Sequence, residues 1–276
     1  MSLKSHFDLV IFDWAGTMVD FGCEAPVTAL IEAFRREGVA LDAHVARRDM
    51  GIAKIDHVRN LLRESEVTPA WRAAKGRSSD ESDVDILMGH LGPLMRGHAA
   101  AASALIAGAR QTFDGLRGLG IRVASSTGYT RDMMEPVLAQ AAAQGYTPEL
   151  VVCAGETPRG RPTPLMIYKT CVDLGVWPLS RVVKVDDAEA GIAEGKAAGA
   201  FTVGVASGNA LGLPLKTLQA MPASEQTARL AAAREVLLAA GADLAIDSVA
   251  DLLPALEGAT ANLSRGSASG HRPAHP

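Results

Sequence analysis

The sequence predicts an α/β protein in which a parallel sheet carries helices on both faces and a helical segment is inserted after the first strand. Two observations indicate this fold. From residue 106 onward, short apolar runs alternate with helical patterns, which is typical of a doubly wound parallel sheet. Between the first strand and residue 105, in contrast, the sequence has helical patterns and no convincing strand.

Length, composition and charge limit the classes of protein to consider. The chain has 276 residues, 48% of them hydrophobic, which suffices for one large or two modest domains. The formal net charge is -4 and no run of Lys or Arg occurs, so we expect neither a nucleic-acid nor a membrane partner. Because there is no membrane-spanning stretch and no signal-peptide pattern, we expect a cytoplasmic protein.

Six short runs predict the strands of the sheet. Each is apolar, and most end in small or polar residues of the kind that make turns. The predicted strands cover residues 7–12, 121–126, 150–153, 182–185, 201–205 and, as an edge strand, 243–246.

Helical periodicity predicts the remaining elements and the division into domains. The core domain is expected at 1–22 and 106–257, and the helical cap domain at 23–105. The last segment of the cap, residues 84–106, is rich in Ala and Leu and could pack either against a partner chain or against its own bundle. The tail 258–276 is rich in Ser, Gly, Ala and Pro, and we expect it to be disordered.

The predicted helices are 26–36, 43–49, 52–64, 68–75 and 83–105 in the insert, and 109–119, 131–144, 164–174, 188–198, 225–240 and 249–256 in the core.

The stretch from Asp13 to Asp20, DWAGTMVD, directly follows the first predicted strand. A buried parallel strand that ends in a carboxylate and small residues presents a reactive group at the carboxyl edge of the sheet. Asp13 is therefore the candidate nucleophile. The alternative is that Asp13 only caps the next helix and Gly16 only makes the turn.

Polar residues also follow other strands. Thr127-Gly128 follows the second strand, Arg161 lies in the loop before residues 164–174, and Asp186-Asp187 follows the strand 182–185. Because the carboxyl ends of parallel strands share one crevice, we expect these residues to meet Asp13 there. Phosphoryl transfer needs this set: a nucleophile, donors and a cation for the phosphoryl oxygens, and carboxylates for Mg²⁺. A lone Arg or an Asp pair at a helix start is usually structural, so only their joint occurrence supports the prediction.

These motifs resemble the four motifs of the haloacid dehalogenase superfamily. Over about residues 7–257 the chain is similar to its phosphonatase (phosphonoacetaldehyde hydrolase) family. The resemblance implies a Rossmannoid parallel sheet with an α-helical cap inserted after the first motif. It also implies the Mg²⁺-dependent hydrolysis of phosphonoacetaldehyde to acetaldehyde and phosphate, and a homodimer formed through the cap. The stretches that carry it are DWAGTMVDFGCEAP, SSTGYTRDMM, GRPTP, GNALGL and, as the most discriminating, MGIAKIDHVR.

Two residues point to the chemistry. Ala15 stands where the phosphatases of the superfamily carry a second Asp, the general acid that protonates a departing alkoxide. A substrate that needs no protonation of oxygen would not require that acid. Lys54 lies on a helix of the insert, and its amine could condense with an aldehyde if the cap closes over the crevice. Together they predict an imine on Lys54 and an aspartyl-phosphate on Asp13, which allows a C–P bond to break.

Further residues are expected near the imine. Met50 and His57 lie four residues before and three after Lys54, on the same side of the helix. We expect Met50 to pack beside the imine, His57 to orient groups or move protons, and the Tyr129 phenol to face the substrate. The alternatives are structural: a cap or salt bridge for His57, core packing for Met50, and cover of the sheet edge for Tyr129.

The fourth motif departs from the superfamily pattern. A second acid often stands four residues after the first carboxylate of that motif, and here Gly191 takes that position. The predicted Mg²⁺ ligands are then Asp13, the Ala15 carbonyl and Asp187, with Asp186 as a further candidate. The sequence leaves open which of the two adjacent aspartates contacts the metal, although the strand end favours Asp187.

Two other functions compete with the phosphonatase prediction. One is a Mg²⁺-dependent phosphomonoesterase or phosphomutase of the same superfamily, against which Ala15 argues. The other is a non-catalytic binding protein that retains the fold. The joint presence of Asp13, Thr127, Arg161 and Asp187 argues against it.

Overall fold

A single sheet of six parallel strands forms the centre of the molecule. The computed structural model describes residues 3–268. The strand order is β3-β2-β1-β4-β5-β6, and every neighbouring pair is parallel. This confirms the predicted α/β class, and all six predicted strands are present with ends shifted by a residue or two. The strands are β1 Leu9–Phe12, β2 Arg122–Thr127, β3 Val151–Cys153, β4 Val182–Asp186, β5 Phe201–Val205 and β6 Leu244–Ile246.

The central strand β1 is buried on both faces because all four of its side chains are apolar. Leu9 and Ile11 pack into one hydrophobic cluster, and Val10 and Phe12 pack into another on the opposite face. This alternation is what a strand between two helical layers requires. The strand order reverses at β1, since β2 lies on one side of it and β4 on the other. Such a reversal opens a crevice beyond the carboxyl ends of the strands.

Twelve helices surround the sheet within residues 3–268. No helix in this range combines the length and the apolar character that crossing a membrane requires. The helices are α1 Glu24–Arg36, α2 Ala43–Ala46, α3 Lys54–Leu61, α4 Val67–Lys75, α5 Glu81–Ala101, α6 Ala109–Gly118, α7 Arg131–Ala143, α8 Leu165–Leu174, α9 Glu189–Ala198, α10 Leu215–Gln219, α11 Ala223–Ala239 and α12 Leu252–Ala268.

The insert (residues 23–105) consists of α1 to α5, with α1 and α3 packed against α5. Helix α5 begins two residues before the predicted start because Asp80 caps it. The Asp80 side chain accepts a hydrogen bond from the Ser82 N–H at 2.9 Å, and the Asp83 carboxylate accepts one from the Asp80 N–H at 2.9 Å. Helix α5 also contacts α7 of the sheet domain, where Arg96 and Asp132 form an ion pair.

The two connections to the insert run side by side. Val19 and Leu105 form an antiparallel bridge, and the Ile106 N–H donates a hydrogen bond to the Met18 carbonyl at 2.8 Å. The first connection starts only a few residues after Asp13, so a movement of the insert would be transmitted to the residues around the candidate nucleophile.

The prediction of a disordered tail from residue 258 is wrong for its first part. Helix α12 continues to Ala268, and Thr260 is buried. Composition alone suggested disorder, but a helix that tertiary contacts have already nucleated extends at little further cost through residues such as Ala and Leu. Residues 269–276 of the predicted tail lie outside the described residues.

Candidate active site

A small cavity of about 20 Å³ lies between the carboxyl edge of the sheet and the insert. The end of β1, the end of β2 and the turn after β4 form its floor, and the insert forms its roof. Of the predicted site residues, Arg161, Asp186 and His57 do not line it. The residues that do are Asp13, Ala15, Cys23, Met50, Gly51, Lys54, Thr127, Gly128, Tyr129, Asp187 and Ala188.

Asp13 lies where β1 ends, at the centre of the floor. Its N–H donates to the Val185 carbonyl at 2.9 Å, which extends the pairing of β1 with β4 by one residue. The carboxylate is 6% exposed and accepts a hydrogen bond from Arg161 Nη1 at 2.8 Å. Burial, and then the negative charge of Asp186, raise the pKa of Asp13 to about 6.

Arg161 lies directly behind Asp13, with its guanidinium fully buried. Besides Asp13, Nε donates to Glu194 Oε2 at 2.9 Å and Nη2 donates to the Ser126 carbonyl at 2.7 Å. Arg161 therefore positions the Asp13 carboxylate, while its predicted contact with a phosphoryl group stays a prediction.

Asp187 forms the other acidic side of the floor. Its carboxylate fits between two glycines: a Cβ on Gly16 or on Gly208 would lie only 2.0 or 2.2 Å from Oδ2. It accepts hydrogen bonds from the Asn209 N–H at 2.6 Å and the Thr17 hydroxyl at 3.2 Å. Burial and the neighbouring carboxylates raise the pKa of Asp187 well above its ordinary value.

The acidic residues fit a divalent cation. Asp13, Asp186 and Asp187 each offer an oxygen, and these oxygens lie within 4.8 Å of one another. Oxygen donors are the ligands that Mg²⁺ prefers. Among the described residues of this cluster, four buried carboxylates accompany two buried cations, so full ionisation of the carboxylates would leave an excess of two negative charges that one divalent ion could offset. The carboxylates are Asp13, Asp186, Asp187 and Glu194, and the cations Arg161 and Lys184 pair with the first two and with Glu194.

Lys54 is the first residue of α3 and reaches the cavity from the roof. It is 1% exposed, and its Nζ lies 3.6 Å from Met50 Sδ and 5.5 Å from the centroid of the Tyr129 ring. Burial lowers the pKa of Lys54 to about 8. Its place at the N-terminus of a helix acts in the same direction, because the positive end of the helix dipole disfavours an ammonium ion. The amine is thus close to its neutral, nucleophilic form.

Two polar side chains near Lys54 are held uncharged. The Tyr129 hydroxyl is buried and has no hydrogen-bond partner among residues 3–268, and burial raises its pKa well above the ordinary value. The imidazole of His57 is fully buried one turn along α3. Burial, and then the positive charge of Lys54, hold its pKa well below its usual range. The predicted roles of both residues stay predictions.

The insert and the sheet domain are tied together around the cavity. Arg161 Nη1 also reaches the Gly51 carbonyl of the insert at 3.3 Å. Arg47 of the insert donates to the Gly22 carbonyl at 2.8 Å and lies 3.5 Å from Asn209 Oδ1, in the loop that holds Asp187. The structure is therefore a closed one, in which the roof contacts the floor directly.

Several residues of the site escaped prediction from the sequence. Lys184 could have been found, since a charged residue within the apolar strand β4 needs a buried partner. Cys23 also lines the cavity, and burial raises the pKa of its thiol. Thr17, Asn209 and Glu194 give no such signal, because their contacts are with residues distant in the chain.

Comparison with known proteins places the chain among characterised sequences and folds. The family model of haloacid dehalogenase-like hydrolases matches residues 7–199. The chain is 44% identical over 262 residues to the phosphonoacetaldehyde hydrolase of Paraburkholderia phytofirmans, covering 95% of this chain and 98% of that protein. It is 45% identical over 241 residues to that of Syntrophobacter fumaroxidans, covering 87% of each.

Comparison with solved structures agrees with the comparison of sequences. A phosphonoacetaldehyde hydrolase-like protein from Oleispira antarctica superposes with a TM-score of 0.92 at 41% identity, covering 95% of each chain. A predicted phosphoglycolate phosphatase from Haemophilus somnus superposes with a TM-score of 0.67 at 16% identity, covering 90% of this chain and 97% of that chain. At that identity the likeness concerns the fold alone.

Closure of the insert should depend on the absence of a side chain at Gly128. A Cβ there would lie 2.4 Å from the Ile52 carbonyl oxygen and 2.6 Å from that of Gly51. We expect Gly128→Ala to push the roof outward and lower kcat/KM by roughly 100-fold, since a displacement of about 1 Å in an active site has such an effect. Steady-state kinetics measure this change.

The matched control is Gly160→Ala, whose Cβ would meet the insert only at Ala53 Cβ, 3.7 Å away, an ordinary contact. Its kcat/KM should stay within about twofold of that of the wild type. Equal kinetics for the two variants would contradict the importance of the Gly128 contact.

Proposed function

The chain belongs to the haloacid dehalogenase-like hydrolases and, within them, to the phosphonoacetaldehyde hydrolases, and on this basis we propose how its residues break the C–P bond. In this proposal Lys54 forms an imine with the aldehyde of phosphonoacetaldehyde. Asp13 then accepts the phosphoryl group as an aspartyl-phosphate. The products are acetaldehyde and phosphate.

One observation carries the proposal: an amine and a carboxylate line the same closed cavity, and the position of a phosphatase's general acid is taken by an alanine. Lys54 lies in the roof and Asp13 in the floor, and Ala15 occupies the position of a phosphatase's general acid. An imine can withdraw the electrons of a breaking C–P bond, so this chemistry requires no proton donor for a leaving oxygen.

The first step is the addition of the neutral Lys54 amine to the aldehyde carbon, followed by loss of water to give the imine. The lowered pKa of Lys54, about 8, leaves a useful fraction of the amine unprotonated near neutral pH. Met50 packs against Nζ, and the Tyr129 ring lies beside it, so the imine would form in apolar surroundings. Such surroundings keep water from reversing it.

In the second step an Asp13 oxygen attacks phosphorus as the C–P bond breaks. The C–P bonding electrons form a C=C bond while the C=N electrons move to the protonated imine nitrogen, which gives a neutral enamine on Lys54, and the phosphoryl group becomes attached to Asp13. The Arg161 hydrogen bond holds the attacking carboxylate in place. Thr127 and Gly128 line the cavity beside Asp13, and we propose that they bind the phosphoryl oxygens.

The final steps regenerate both residues. Water hydrolyses the aspartyl-phosphate and releases phosphate. The enamine takes up a proton on carbon, and hydrolysis of the resulting imine releases acetaldehyde and the free Lys54 amine. Over the cycle, one phosphonoacetaldehyde and one water give one acetaldehyde and one phosphate.

We propose that the divalent cation of this family is here Mg²⁺, held by Asp13, Asp187 and the Ala15 carbonyl. When bound, it supplies positive charge that offsets the repulsion between Asp13 and the phosphoryl oxygens. Asp187 rather than Asp186 is the direct ligand in this proposal, because Asp187 lines the cavity and Asp186 faces Arg161 and Lys184. A homodimer through the cap and a cytoplasmic location stay predictions from the sequence.

The imine can be tested by reductive trapping. Borohydride added together with phosphonoacetaldehyde should inactivate the enzyme and leave one adduct, located on Lys54 by peptide mass spectrometry. Lys54→Arg keeps a positive charge but cannot form an imine, and its activity should fall by at least about 1000-fold, as expected when a covalent catalyst is removed. An adduct on another lysine, or activity of Lys54→Arg close to that of the wild type, would contradict the Schiff-base role.

The rate of trapping should follow the ionisation of Lys54. Because only the unprotonated amine adds to the aldehyde, the rate should rise with pH and level off above the lowered pKa of about 8. The initial trapping rate, measured over a range of pH, gives this profile. A rate that keeps rising past about pH 10, where an exposed lysine titrates, would contradict the assignment.

A comparison of substrates separates this function from that of a phosphatase. We expect phosphonoacetaldehyde to release acetaldehyde and phosphate in equal amounts. Simple phosphate esters should react at least about 100-fold more slowly, because Ala15 cannot act as a general acid. Coupled assays for acetaldehyde and phosphate measure both. Fast release of phosphate from esters, with no acetaldehyde from phosphonoacetaldehyde, would establish the phosphatase instead.

A further inference from the structure

An apolar groove of about 640 Å³ lies at the end of α8, on the side of the molecule away from the candidate active site. Helix α8 connects the parallel strands β3 and β4, so it runs from the carboxyl edge of the sheet back to the amino edge. The insert lies at the carboxyl edge and does not cover the groove. Apolar side chains line it, with Tyr168, Cys171, Val172, Val176, Trp177 and Leu179 among them.

The lining of the groove is highly exposed for apolar side chains. Trp177 is 82% exposed and Val172 is 79% exposed, whereas no other large apolar side chain in the described part of the chain is more than 45% exposed. Tyr168 adjoins them at 40%. Single exposed apolar residues are ordinary, but here the two most exposed ones lie in one groove. A patch of this kind is typical of a surface that a partner covers.

The outer face of α8 has the pattern of a helix that pairs with another helix. Leu165, Tyr168 and Val172 follow one another at spacings of three and four residues, which places them in one stripe along the helix. The opposite face of α8 packs on the sheet through Ile167 and Cys171. A helix on the surface of a domain needs one apolar face. Helix α8 has a second one, which is largely open to solvent.

The charges beside this stripe complement each other. Lys169 and Asp173 form an ion pair along α8, with Nζ 2.9 Å from Oδ2, and both side chains are part-exposed. When two copies of α8 pair antiparallel and cross at Cys171, residues equally far before and after Cys171 face each other. Lys169 of each copy then lies opposite Asp173 of the other copy. The four charges alternate in sign around a two-fold axis, so the patch fits a second copy of itself.

We propose that the groove binds a second copy of this chain, with the two α8 helices antiparallel about a two-fold axis. Trp177 of each copy packs against the Tyr168 side of the other copy's groove, and Lys169 and Asp173 alternate in sign at the rim. This interface is separate from the homodimer that the sequence predicts through the cap. It is also independent of the proposed function, because none of these residues lines the active-site cavity.

The size of the patch limits the strength of the association. An aromatic side chain buries about 150–250 Å². Tyr168, Val172 and Trp177 therefore supply only part of the ~800 Å² that each partner of a standard stable complex buries. We expect a reversible dimer with a Kd in the micromolar range, which dissociates on dilution.

Charge reversal followed by mixing tests the pairing. Lys169→Asp leaves two acids on the rim and Asp173→Lys leaves two cations, so like charges face each other across the axis in each variant. Each variant alone should self-associate at least about tenfold more weakly than the wild type. An equimolar mixture of the two should form a mixed dimer within about threefold of wild-type affinity, because opposite charges face each other again. Sedimentation velocity over the micromolar range measures these affinities, and circular dichroism verifies that the variants fold.

Trp177 gives two further measurements. Trp177→Ser should weaken self-association by roughly 30-fold or more, since a Trp buried in an interface is a frequent hot spot. The matched control Val236→Ser removes an exposed apolar side chain from α11 and should leave the association unchanged. In the wild type, Trp14 and Trp71 are each 1% exposed, so a quencher in solution reports mainly on Trp177. Quenching should therefore decrease as the protein concentration rises.

A mass that is the same for the wild type, Trp177→Ser and both reversal variants at every concentration would overturn the proposal. A mixture that associates no better than its two components, or undiminished association of Trp177→Ser, would overturn it as well. If the chain also forms a dimer through the cap, the wild type should show a further doubling of mass, and Trp177→Ser should lose that doubling alone.

Discussion

The architecture of the active site depends on the burial of one guanidinium group. A buried charge is tolerated only if its N–H groups all find acceptors, because removing it from water costs several kcal/mol. Arg161 finds its acceptors on three different elements: Asp13 after β1, Ser126 on β2 and Glu194 on α9. One side chain therefore joins the ends of the strands at the point where the order of the sheet reverses, and the position of the nucleophile follows from it.

The two residues of the proposed reaction need opposite protonation states. In that reaction Asp13 must stay ionised in a cluster where carboxylates exceed cations, which a divalent cation makes possible. Lys54 must lose its proton, which burial at the start of α3 favours. The condition on Lys54 holds only while the insert covers the sheet, because an open site would expose Lys54 to water and return its pKa towards the ordinary value. The Gly51 and Arg47 contacts thus influence the chemistry without touching a substrate.

Much of the site could be predicted because its residues have local signals. Asp13, Thr127 and Asp187 follow apolar strands, and the topology of a parallel sheet brings such ends together. Lys54 was found through its motif and the absence of an acid at Ala15. The contacts that hold Asp187 were not predicted, because the stretch that begins at Gly208 and Asn209 has no pattern that relates it to a carboxylate some twenty residues earlier. The end of α12 was not predicted, because the composition of the tail contains no information on the tertiary contacts that nucleate the helix.

The sequence by itself determined the fold class, the helical insert and the chemical types at the site, because apolar periodicity and residues at strand ends are local properties. Only the tertiary structure decided which position and which partners each of these residues has. It placed Arg161 behind the nucleophile, turned Asp187 towards the cavity, and turned Asp186 towards Arg161 and Lys184. The physical reason is that excluded volume and the pairing of buried charges act between residues that meet only after folding, so adjacent aspartates with the same chemistry come to have different partners.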